Sequence, residues 1–241
     1  MEKYYIASCV FTAQFPALSE RIQAFVRKNY SLSVVRCCTK RYKLEEFTEK
    51  MPAGDTRARW SALPDCADFQ KGDLIVSLCH NCNNIIEENC PETRVTSLWE
   101  LLDADASLPL PDYSGLMVTV QDCWRSRDRL GEQRAVRSLL RKMHIEFRET
   151  ENNFEKANFC GASLYRPQPP RNPILAPVHY QEEAKGLFIP HTEAEQKHLM
   201  EAYCERYTTK KVVCYCQYCL EGLLMGGRDG VHLAQLLFPE K

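Results

Sequence analysis

The sequence predicts an α/β protein built from two pseudo-symmetric halves, each a small parallel sheet with flanking helices and a cysteine cluster at the sheet edge. Three observations carry this reading. Short apolar, β-branched runs alternate with helical patterns, most of those runs lead into a cysteine, and the cysteine order of the first half recurs in altered form in the second. Taken in order, Tyr4-Tyr5-Ile6-Ala7 leads into Cys9, Leu32-Ser33-Val34-Val35 into Cys37, and Leu74-Ile75-Val76-Ser77-Leu78 into Cys79. In the second half Leu116-Met117-Val118-Thr119-Val120 precedes Cys123, and Lys211-Val212-Val213 precedes Cys214. Nearly continuous apolar runs of this length, bounded by polar residues, read as buried parallel strands. Between them Leu18, Ile22, Phe25 and Val26 share one helix face, as do Val136, Leu139, Leu140 and Met143.

Composition narrows the class further. The chain has 241 residues, 44% of them apolar and 26% charged, which is globular, and a formal net charge of -1 supplies no general field for nucleic acid or an anionic membrane. No apolar run approaches the roughly 20 residues of a membrane span, and the start of the chain does not read as a signal peptide, so a cytoplasmic protein is expected. Thirteen cysteines stand out. In a reducing compartment, an odd and large thiol count points to metal ligation or redox chemistry rather than to disulfides.

The halves resemble each other in order as well as in pattern. Cys79-His80-Asn81-Cys82 is followed 16 residues later by Leu98-Trp99-Glu100-Leu101-Leu102, and Cys216-Gln217-Tyr218-Cys219 is followed 14 residues later by Leu233-Ala234-Gln235-Leu236-Leu237. The stretch Leu108-Pro109-Leu110-Pro111-Asp112 reads as a linker, giving halves at 1–108 and 112–241. Residues 166–177 hold five of the 13 prolines and read as an extended insertion within the second half.

The spacing of the cysteines carries the chemistry. Half one holds Cys9, the pair Cys37-Cys38, and the CxxC of Cys79 and Cys82. Half two holds Cys123, Cys160-Gly161, and the CxxC of Cys216 and Cys219. A CxxC sets two sulfurs on one tight turn, and cysteines placed where parallel strands end collect distant ligands on one sheet edge. Thiolates suit iron–sulfur clusters and zinc, and the five sulfurs of half one exceed the four of a tetrahedral zinc site.

A lone cysteine, a Cys-Cys pair and a CxxC, twice in one chain, resemble the CCG domains in the cysteine-rich subunit of heterodisulfide reductase and of its iron–sulfur oxidoreductase relatives. The closest stretches are Ala7-Ser8-Cys9, Ile75-Val76-Ser77-Leu78-Cys79-His80-Asn81-Cys82 and Asn158-Phe159-Cys160-Gly161. The resemblance implies a noncubane [4Fe-4S] cluster on Cys9, Cys37, Cys38, Cys79 and Cys82, which would be both its ligands and the catalytic centre. Two positions depart from the family pattern. Thr39 stands where the first motif has glycine, and Phe159 stands where the second has the first cysteine of its pair. Half two is therefore left with Cys123, Cys160, Cys216 and Cys219, a four-sulfur set suited to zinc or to a second iron–sulfur cluster, with Cys214 as a candidate fifth ligand.

The remaining candidates receive plainer readings. Cys66, Cys90 and Cys204 fall outside the motifs and are expected to be ordinary thiols, and His191 and His198 surface residues. His80 is expected beside a cluster rather than on it. Trp124-Arg125-x-Arg127-x-Arg129 reads as a solvated helix start, with anion binding or cluster tuning as the functional alternative. Gly226-Gly227-Arg228-Asp229-Gly230 follows a helix rather than a strand, so it reads as a loop and not a nucleotide-binding turn; flavin or nicotinamide would belong to a partner. The resemblance implies an oxidoreductase, anaerobic in character, that reduces a disulfide or related acceptor and takes electrons from a ferredoxin-like iron–sulfur or flavoprotein subunit. The alternative is a non-catalytic electron-transfer subunit with the same ligands.

Overall fold

Each apolar run becomes a strand in the computed structural model, which describes residues 1–66, 68–166 and 171–240. In chain order the first half comprises β1 (Lys3–Ala7), α1 (Cys9–Gln14), α2 (Pro16–Tyr30), β2 (Ser33–Arg36), α3 (Leu44–Lys50), α4 (Asp55–Ala62), β3 (Leu74–Ser77), α5 (His80–Asn89) and β4 (Arg94–Ser97). Helix α6 (Leu98–Ala104) follows, and residues 108–112 carry no helix or strand. The second half comprises β5 (Met117–Gln121), α7 (Leu130–Lys142), β6 (Glu146–Arg148), α8 (Arg171–Leu175), α9 (Glu193–Cys204), β7 (Lys211–Cys214), α10 (Gln217–Met225), β8 (Asp229–His232) and α11 (Leu233–Leu237). By its internal packing the chain divides into two units, Met1–Leu98 and Trp99–Lys241.

The two sheets have one topology. Their strand orders are β2-β1-β3-β4 and β6-β5-β7-β8, and every pairing is parallel. In the first sheet Ile6 lies opposite Val35 and Tyr5 opposite Val76; in the second Val120 lies opposite Val213. Ile6, Ile75 and Val76 are fully buried in one unit, and Val118, Val120, Val212 and Val213 in the other. The predicted helix faces are the faces that pack. Ile22 and Val26 of α2 are inaccessible, as are Val136, Leu139 and Leu140 of α7 with Met143 at its end. Removing that apolar surface from water, at roughly 25 cal/mol per Å², is what holds helices on both sheets.

Strand order fixes where chemistry can gather. Each sheet reverses direction between its first and third strands, and the crevice outside the carboxyl ends of strands at such a point is where open α/β sheets place ligands. Cys9 follows β1 and Cys79 follows β3, so they flank the switch point of the first sheet. Cys123 and Cys216 follow β5 and β7 and flank that of the second.

Two local readings change. Of the proline-rich insertion, residues 167–170 lie outside the described residues. The part that follows is helical rather than extended, with α8 and then a π-helical turn at Val178–Glu182. The segment after α10 is a turn only at Gly226 and Gly227, since Asp229 already belongs to edge strand β8. Among the described residues no helix is long and apolar enough to cross a membrane.

Candidate metal centre

The second half closes four cysteines onto one point. The Sγ atoms of Cys123, Cys160, Cys216 and Cys219 all lie within 4.8 Å of one another, and all four residues are buried. Three separate pieces of chain deliver them. Cys123 caps the 3₁₀ turn Trp124–Ser126 directly after β5, and its sulfur accepts from the Arg125 backbone N–H at 3.4 Å. Cys216 is the N-cap of α10 and Cys219 sits in its first turn, so the CxxC is a strand-to-helix corner. Cys160 arrives on the long connection after β6, where Cys123 Sγ lies 3.5 Å from its own sulfur.

Glycine is required beside Cys160. Gly161 has φ +56°, and a Cβ there would stand 1.9 Å from the Tyr218 carbonyl oxygen, so α10 can approach only because the side chain is missing. In the first half the left-handed residue of the corresponding motif is Cys37, at φ 66°, and not Thr39, so a threonine is tolerated there.

Phe159 packs through its ring and bonds through its backbone. Its ring stacks on Tyr203 with centroids 4.3 Å apart, while its backbone carbonyl accepts from Trp124 N–H at 2.8 Å and from the Cys219 thiol at 3.7 Å. Cys214, the last residue of β7, is equally buried but lies outside the four-sulfur group, its thiol directed to the Cys216 carbonyl at 3.7 Å.

Burial and the crowding of sulfurs hold the Cys123 and Cys219 thiols well above the ordinary range. At Cys160 burial acts the same way, but it is outweighed by hydrogen bonds with Cys123 and Cys219 and by the charge of Arg125, and its thiol is drawn down. The sequence reading favours a solvated helix start for that arginine, with anion binding or cluster tuning as the alternative, and burial overturns the favoured reading. Arg125 is instead 2% exposed, and its Nε donates to Cys160 Sγ at 3.1 Å. The signal available in advance was its position two residues after a candidate ligand.

A buried network orients the strand ends that carry the ligands. Asp122, next to Cys123, accepts from Arg137 Nη1 at 2.6 Å, from the Tyr215 hydroxyl at 2.7 Å and from the Phe154 backbone N–H at 2.9 Å. Arg137 also donates to Glu149, at 2.9 Å and 2.7 Å, which ties the end of β6 to the same cluster.

In the first half, hydrogen bonding to Cys38 and Cys79, with burial added, pushes the Cys82 thiol well above its ordinary range. Cys38 and Cys79 thus each lie beside Cys82, but among the described residues the compact group of ligand atoms is that of the second half, and the five predicted sulfurs of the first half form no such group. Cys9 starts α1 at that edge and lines a cavity of about 340 Å³ with Val10, Ala13, Gln14, Phe47 and Lys50. Cys37 and Cys38 follow β2 and are buried, and His80 is buried in the first turn of α5. Cys66 is buried, with Asp65 and Cys38 among its charged neighbours, and burial first of all pushes its thiol up to about 12.

The four clustered sulfurs suit a thiolate-bound metal or cluster. A tetrahedral ion with metal–sulfur bonds near 2.3 Å holds its ligands about 3.8 Å apart, close to the spacing of this group. Compared with known proteins, the chain matches no family profile, no curated protein and no solved structure.

Proposed function

We propose that the chain is an iron–sulfur oxidoreductase subunit resembling the cysteine-rich subunit of heterodisulfide reductase, with a redox centre in the first half and a structural zinc in the second. The observation that carries the reading is the contrast between the two cysteine groups. The second is fully enclosed and compact, which suits one tetrahedral ion; a cubane would bind each thiolate to a different iron and spread the sulfurs much farther apart. The first has five candidate sulfurs, and one of them, Cys9, borders a cavity large enough for a small molecule.

The first motif would hold the noncubane cluster through Cys9, Cys37, Cys38, Cys79 and Cys82, and such a cluster supplies single electrons and a sulfur-binding iron face. The protein's own part is selection. Val10, Ala13 and Phe47 give the cavity apolar walls, while Lys50 brings a positive charge to it. A disulfide bound there takes up two electrons and two protons and leaves as two thiols, the electrons arriving from a ferredoxin-like or flavoprotein partner.

Anaerobic purification followed by iron, sulfide and zinc analysis tests the reading. About four irons and one zinc per chain, with a paramagnetic signal altered by added disulfide, is the expected result. Cys38→Ser and Cys82→Ser should lose the iron, and Cys66→Ser should keep it. A centre that titrates only by outer-sphere transfer, untouched by disulfides, makes the chain an electron-transfer subunit instead. About eight irons without zinc rejects the division of roles.

A further inference from the structure

The most unusual charge in the second unit lies beside the sulfurs. The Arg125 guanidinium is encircled by four rings, with Trp124, Tyr180, Phe188 and Tyr218 at 5.9, 5.1, 5.5 and 5.3 Å from its central carbon. One edge of the fork meets Cys160 Sγ at 3.1 Å, and Nη2 reaches Ser163 Oγ at 3.4 Å. Ser163 in turn donates to the Cys160 carbonyl at 2.6 Å. Burying an arginine is costly unless an anion meets it, and aromatic faces supply part of the compensation. Here the facing anionic group is a thiolate. A divalent ion on four thiolates leaves two surplus negative charges, and one buried guanidinium cancels one of them.

The rings have a telling origin. Tyr180 and Phe188 both lie on the segment that follows the proline-rich stretch, and Phe188 packs edge-on against Trp124 at 5.8 Å. That segment is pinned by an ion pair between Arg127 and Glu183 at 2.8 Å. The segment that follows the insertion thus forms a wall over the arginine–sulfur contact.

We propose that Arg125 is a positioning residue for the second metal centre, holding Cys160 and neutralising part of the thiolate charge behind the wall formed by residues 178–188. The inference rests on the reading of this centre as a metal site. Metal held by charge-compensated ligands dissociates less readily, and loss of such an outer partner typically costs 10–100-fold in affinity.

The test is an anaerobic cobalt(II) titration of the full chain, carried out in a Cys38→Ser, Cys79→Ser, Cys82→Ser background, which leaves the first motif two sulfurs, too few for a thiolate site. Arg125→Met should weaken cobalt binding by about 10–100-fold and shift the thiolate-to-cobalt charge-transfer bands. Arg125→Lys should fall between the two, because it keeps the charge and loses the planar fork. Circular dichroism checks folding. If the methionine variant does not fold, the lysine variant decides, with a band shift and weaker binding expected. Variants that match the parent in affinity and band energy overturn the inference, as does equal loss in both. A parent chain that takes up no cobalt overturns the metal reading itself, and the inference falls with it.

Discussion

Single side chains decide whether the second centre can form at all. Gly161 is the sharpest case, since an added methyl meets the Tyr218 carbonyl at 1.9 Å and φ is also unfavourable. Gly161→Ala should cost at least about 2 kcal/mol and reduce metal uptake. Gly227→Ala carries only the backbone strain of φ +73°, with nothing within 4 Å of the new methyl, and should cost about 1 kcal/mol with metal content unchanged. Thermal unfolding with metal analysis separates the two. Cys204 illustrates a thiol outside the motifs. Burial pushes it up to about 11, partly offset by Arg228 and Arg206. Its folded pKa lies above the unfolded value of 9.0, so its contribution to stability is present below pH 9 and fades as pH rises toward 11. At pH 8 it should resist alkylation in the native protein and react on unfolding, as mass spectrometry would read.

At the scale of elements, the strand ends are held by charge as well as by ladder hydrogen bonds. Asp122 is wholly buried and serves Arg137, Tyr215 and the Phe154 amide at once. Asp122→Asn leaves Arg137 with less compensation in a buried setting and should destabilise the protein by about 3 kcal/mol in denaturant titration. Glu149 adds a pH dependence. Burial opposes its charge, but the bonds from Arg137 outweigh it and hold the carboxyl below its ordinary 4.5. A depressed acid stabilises the fold above its unfolded pKa and loses that contribution as pH falls through the folded one. Glu149→Gln should therefore flatten the acid limb of the stability curve below about pH 4.5. The weakest sequence readings also belong here. Strands β4, β6 and β8 were not legible, because edge or near-surface strands such as Glu146–Arg148, with its outer residues exposed, lack a continuous apolar run.

For the whole molecule, two units of one topology should carry separable centres. On the proposed reading, Cys219→Ser is expected to lose metal from the second centre alone and Cys82→Ser from the first alone, as metal analysis of each variant would show. Much of this was legible in the sequence. Periodicity and the alternation of strand and helix determine two parallel α/β sheets, because burial on both faces demands continuous apolar runs. Spacing determines that Cys216 and Cys219 share a turn. What spacing does not determine is which distant sulfurs meet, and only the tertiary structure brings Cys160, across 55 intervening residues, to the CxxC while turning Cys214 away. The burial of Arg125 was likewise out of reach, since two of the four rings around it, Tyr180 and Phe188, lie more than 50 residues later in the chain. Local patterns record what neighbours along the chain require. A metal centre, like a buried charge, is a property of contacts between elements, and those exist only once the sheet order is set.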